Sequence, residues 1–155
     1  LNIVELFLAH AVQVERDAAR RYEDLAASMS TDGNRELKAF FERMAGFSRK
    51  HLAEASARAG FHEMPNLRPD QYEWPDGTAP ETAGWTGVDA MMSADEALEL
   101  ALESERRGHA YYAAIAATSQ DPEVRTLAGQ FAEEEAAHVR ELEKWISARA
   151  AGARR

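Results

Sequence analysis

Glu135-Ala136-Ala137-His138, inside an acidic and apolar run from Pro122 to Arg149, is the stretch on which the reading of this chain turns. Residues three apart on a helix lie on one face about a turn from each other, so this carboxylate and imidazole can share a metal ion. The surrounding run has the matching rhythm. Val124, Ala128, Phe131, Glu135, His138, Leu142 and Trp145 recur at spacings of four and three, the seam of a helix packed in a bundle. Asp121-Pro122 places a capping side chain before a proline at the first helical position. A helix is expected over about 122–149, with the tail from Ala148 to Arg155 fraying.

Working back from this stretch, the loop Ser119-Gln120-Asp121 is short, and before it a helix is expected over about 93–118. Ser93-Ala94-Asp95-Glu96 reads as its capping box. Its seam is Leu98, Leu102, Glu105, His109, Tyr112 and Ala116. The amino-terminal half repeats the arrangement. A helix over about 2–29 has the seam Val4, Leu8, Ala11, Glu15, Ala18, Tyr22, Leu25 and Met29. Ser30-Thr31-Asp32-Gly33-Asn34 is a turn by composition, and a helix over about 35–59 follows, stopped by Gly60. The seam of that helix is Leu37, Phe41, Met44, Ser48, His51 and Ala55. Between the halves, from about 61 to 92, periodicity disappears, and Pro65, Pro69, Pro75 and Pro80 interrupt the chain. A crossover this long inside one domain is functional or packed on its own side chains, for which Phe61, Tyr72, Trp74 and Trp85 are suited.

Composition limits the function classes. A chain of 155 residues, 45% hydrophobic and 29% charged, is read as one domain (1–155) with a real core. The formal charge of −9, with no basic block beyond Arg154-Arg155, would repel a phosphate backbone, so no nucleic-acid partner is expected. The absence of cysteine removes disulfides, thiolate metal sites and thiol catalysis, and fits a reducing compartment. No apolar run reaches the roughly 18 residues of a membrane span, and the start of the chain lacks a basic segment followed by an apolar one. A soluble, cytoplasmic protein without a membrane partner is expected. The chain begins at Leu1, so a few preceding residues are expected.

The two halves align. Each has a seam glutamate followed seven residues later by tyrosine (Glu15 with Tyr22, Glu105 with Tyr112), then a turn, then a helix with a mid-seam histidine. Superposing 45–51 on 132–138 brings His51 onto His138 without a gap and places Ser48 where the second half has Glu135. Buried charge is costly unless paired or metal-bound, and five acids and histidines at one depth of four seams point to metal. Two helical hairpins joined by one long crossover make an all-α, ferritin-like four-helix bundle.

At these residues the chain resembles the rubrerythrin-like branch of the ferritin-like di-iron carboxylate superfamily, over about residues 4–148. The resemblance implies terminal ligands at Glu15 and Glu105, a bridging carboxylate at Glu135, and one imidazole per metal from His51 and His138. It implies two iron ions as cofactor, fewer if Ser48 breaks the site, because serine stands where the family has its sixth ligand. His109, four residues after Glu105, is a further candidate to complete the set. Gly108 stands where peroxidase-type members often carry an additional glutamate, and no cysteine is present for the rubredoxin-like iron domain that often delivers electrons. The implied reaction is ferrous oxidation with oxygen or peroxide as acceptor, an external electron donor serving any redox turnover. A homo-oligomer, a dimer by expectation, goes with this reading.

Two alternatives stand beside it: a single-metal or non-iron site, and a non-catalytic bundle that keeps relics of a site and works as an oligomeric or partner-binding scaffold. Tyr22 and Tyr112 are read as core residues whose hydroxyls bond near the site. His10 and His62 are read as ordinary surface or loop histidines, and Glu133-Glu134 as a solvated face.

Overall fold

Each of the four helices starts or stops for a local chemical reason. In the computed structural model, which describes residues 2–58, 67–75, 79–80 and 92–153, α1 spans Ile3–Asp32, α2 Arg35–Arg58, α3 Ala94–Thr118 and α4 Pro122–Ala153. Among the described residues there is no strand. Asn2 caps α1 by accepting from the Glu5 amide at 2.8 Å, and Ser93 caps α3 by accepting from the Glu96 amide while donating to the Glu96 carboxylate. Asp121 accepts from the amides of Glu123 and Val124, each at 3.0 Å, and so starts α4.

The turn between α1 and α2 is tighter than composition implied. α1 continues through Asp32, and the reversal is made by Gly33, whose φ of 76° is a left-handed conformation that closes the helix. Asn34 then accepts from the Leu37 amide at 3.0 Å and begins α2. At the other end of the chain α4 stays helical to Ala153, past the point where fraying was expected; Arg154 and Arg155 lie outside the described residues. So do Leu1, Gly60, Phe61, His62, Pro65 and Trp85, and with them most of the crossover.

Two apolar clusters fill the bundle, and their order along each helix fixes the topology. One contains Tyr22, Leu25, Met29, Leu37, Phe41, Met44, Leu98, Leu102 and Leu142. The other contains Phe7, Leu8, Val14, Tyr112, Val124, Ala128 and Phe131. α1 and α4 pass from the second cluster to the first; α3 passes from the first to the second, and α2 starts in the first. Hence α1 and α2 form one antiparallel hairpin, α3 and α4 the other, and the connection from α2 to α3 must return along the bundle, as in ferritin-like folds. Glu15, Glu105, Glu135 and His138 are buried and fall between the two clusters on their helices, and Ser48 is buried just beyond the first cluster on α2.

The described part of the crossover packs on α1 and α3. Tyr72 and Trp74 stack at 5.5 Å, Trp74 leans on Tyr111, and His10 meets both crossover rings edge-on at 5.1 and 4.8 Å. His10 is therefore not a surface histidine: it is 6% exposed. Its Nδ1 lies 2.8 Å from the Leu6 carbonyl and its Nε2 accepts from the Glu73 amide at 3.0 Å, which identifies the neutral tautomer with the proton on Nδ1. No helix among the described residues is long and apolar enough to cross a membrane.

Candidate metal centre

On α3 the inward face carries Leu98, Ala101, Leu102, Glu105, Gly108 and Tyr112, all buried. On α4 it carries Phe131, Glu135, His138 and Leu142. These helices bring Glu105, Glu135 and His138 together so that one ligand atom from each lies within 4.8 Å of the others. His138 Nδ1 stands 3.4 Å from Glu105 Oε2, and the pair acts through charge, since neither of these buried atoms has a hydrogen-bond partner. Without a metal these atoms offset each other's charge but make no hydrogen bond; a cation could take the place of the imidazole proton and accept both as ligands.

The first hairpin contributes unequally. Glu15 is buried and shares a hydrogen bond with Glu135, and Tyr112 donates to Glu15 at 3.5 Å. Tyr22, on α1, donates to Glu105 on α3, so each tyrosine reaches the glutamate of the opposite hairpin. His51 lies beside His138, rings nearly parallel at 16° and 5.9 Å apart. Its Nε2 pairs with the Glu134 carboxylate rather than with the buried trio. Ser48, at the register of Glu135, is buried and brings no charge. His109 is half-buried and is not part of the group of ligand atoms that Glu105, Glu135 and His138 form. Phe47, with 48% of its surface exposed, stacks on His138 at 6.2 Å.

Electrostatics follow from this crowding. Burial first, and then the Glu105 charge, push Glu15 up to about 8, so it carries a proton at neutral pH. Burial also acts upward on Glu105, but the hydrogen bonds from Glu135 and Tyr22 and the imidazole of His138 outweigh it and hold Glu105 below the usual carboxylate range. His138 is raised: burial works against its cation, and the carboxylates of Glu105, Glu15 and Glu134 overcome it. His51, desolvated and next to His138, is held down to about 4 and is neutral, ready to donate a lone pair.

Sequence reasoning missed Glu134. By sequence Glu133-Glu134 reads as a solvated face, yet Glu134 is half-buried and paired across the bundle with His51. The signal was available in its spacing of four from His138, the other helical interval that puts two side chains on one face.

Comparison with known proteins agrees with the geometry. No curated protein matches the chain. Residues 96–154, which span α3 and α4, match the Rubrerythrin family model. The crystal structure of an uncharacterized conserved protein from Magnetospirillum magnetotacticum MS-1 superposes with a TM-score of 0.73, at 41% identity and covering 95% of each chain. The family match falls on the hairpin that holds Glu105, Glu135 and His138, and the likeness to the solved structure runs through both hairpins: the chain belongs to the rubrerythrin-like branch of the ferritin-like di-iron carboxylate superfamily.

Proposed function

We propose that the chain binds two iron ions inside the bundle, held by Glu15, His51, Glu105, Glu135 and His138, and that it oxidises ferrous iron with oxygen or peroxide as acceptor. The observation that carries this reading is the buried trio Glu105, Glu135 and His138, with Glu105 Oε2 and His138 Nδ1 facing each other without hydrogen-bond partners. The donor set fits the group: carboxylates neutralise a divalent charge, and imidazoles suit iron better than magnesium or calcium. Iron bound there would supply one-electron chemistry toward oxygen or peroxide.

The residues of the chain would do the rest. Tyr22 and Tyr112 orient Glu105 and Glu15 through their hydroxyls. The proton on Glu15 must leave when a cation enters, so loading and proton release are coupled at that carboxyl. The apolar clusters on either side limit water.

The test is metal content by elemental analysis of protein purified without chelator, for wild type and His138→Ala. Close to two irons per chain in the wild type, with loss in the variant, is expected; no metal in either would sink the proposal. A single-ion centre is the second reading, favoured because the trio lies wholly on α3 and α4 while His51 is engaged by Glu134. It would give one ion per chain, also lost in His138→Ala.

A further inference from the structure

We propose that Glu134 supplies the carboxylate that α2 lacks at Ser48, and that with Glu15 and His51 it forms the second metal position. This rests on the metal-binding reading above.

Three observations meet at Glu134. Ser48 is buried at the register where the second half of the chain has a carboxylate, so the first hairpin offers one acid, Glu15, and one imidazole, His51. That is one negative charge too few for a position of the same kind. Glu134 comes from the opposite hairpin, and its carboxylate already contacts His51 Nε2. The His51 and His138 rings lie side by side at 5.9 Å, so the pair His51 and Glu134 stands next to the trio; among the described residues only the trio has its ligand atoms within 4.8 Å of one another, so Glu15, His51 and Glu134 would have to close together around an entering ion. Consecutive residues on α4 point 100° apart, which lets Glu135 face the trio while Glu134 faces His51.

A carboxylate arriving from α4 is a different solution from one arriving from α2. Glu134 is partly exposed, with 40% of its side chain open to solvent, so the second position would be the more accessible and the more readily emptied. Loading is then ordered: the buried trio fills first and the Glu134 position second.

Anaerobic titration of the metal-free protein with ferrous iron tests this, counting bound ions by elemental analysis after gel filtration. The variants are Glu134→Gln, which keeps a hydrogen-bond acceptor for His51 while removing the charge, the exposed neighbour control Glu133→Gln, and Ser48→Glu combined with Glu134→Gln. Expected are two ions in the wild type and in Glu133→Gln, one in Glu134→Gln with the tighter affinity changed less than about threefold, and two again in the double variant. Rescue from Ser48 separates a ligand from a residue that only positions His51, since a new acid on α2 cannot restore a lost positioning contact. Two ions retained by Glu134→Gln, or no recovery in the double variant, would overturn the assignment. One ion in the wild type would also overturn it while leaving metal binding at the trio intact; no ion at all would remove the metal-binding reading itself.

Discussion

Glu15 is the residue whose chemistry is most altered by its surroundings, and its protonation makes a prediction about the metal-free protein. Its carboxyl is raised from 4.5 to about 8 on folding, so the folded state holds a proton the unfolded chain would release, and stability is lost as pH rises through that interval. His51 works oppositely. Lowered from 6.5 to about 4, it makes the unfolded chain the better proton acceptor between those values, so stability rises with pH there. The two offset each other at mildly acid pH. Above about 6.5 only the loss remains, and His138, also raised, adds to it. In chelator, the wild type should therefore lose stability from pH 6.5 to 8 with a slope on the order of 1.4 kcal/mol per pH unit for each proton released. Glu15→Gln cannot release that proton and should reduce the slope. Urea midpoints at the two pH values decide it, and equal slopes in the two proteins would contradict the assigned protonation of Glu15.

At the scale of the helix, most of the architecture is written in the sequence as spacing. The seams at four and three, the capping side chains of Ser93 and Asp121, and the paired glutamate-to-tyrosine intervals place four helices and bring Glu15, Glu105, Glu135 and His138 to one depth. What the spacing of one helix does not contain is its rotation against a neighbour. Glu134 and His10 were both assigned to solvent for that reason: the partner of Glu134 is on α2, and the partner of His10 is the backbone of residue 73, far away in the crossover. The α1–α2 turn gives a sharper test, because its geometry reduces to one torsion. Gly33 has a φ of 76° and open space where a Cβ would stand, so Gly33→Ala meets no clash and feels only the cost of the left-handed backbone. That cost is about 1 kcal/mol. Chemical denaturation should show a loss of this size without a change in metal content, and no loss would mean that the turn is made another way.

For the molecule as a whole, the two hairpins are closely packed within themselves and meet most closely along α1. The polar contacts between them concentrate at the site: Tyr22 with Glu105, Tyr112 with Glu15, and His51 with Glu134. A centre that draws ligands from both hairpins would act as a staple across the bundle, whereas an ion held by Glu105, Glu135 and His138 alone would tie only α3 to α4. The two cases differ in where stabilisation is felt. At free ferrous iron about 100 times Kd, each bound ion should stabilise the fold by about 2.7 kcal/mol, or roughly 5–10 °C in Tm for a chain of this size. Global stability therefore reports how many ions bind but not which hairpin holds them; amide exchange does. Local opening of one hairpin is suppressed only if that hairpin holds a ligand. With the staple, iron under argon should slow exchange around Glu15 and His51 as strongly as around Glu105 and His138, and in Glu134→Gln the slowing should retreat to α3 and α4. Protection confined to the second hairpin in the wild type would mean that the first hairpin contributes packing to the site but no ligand.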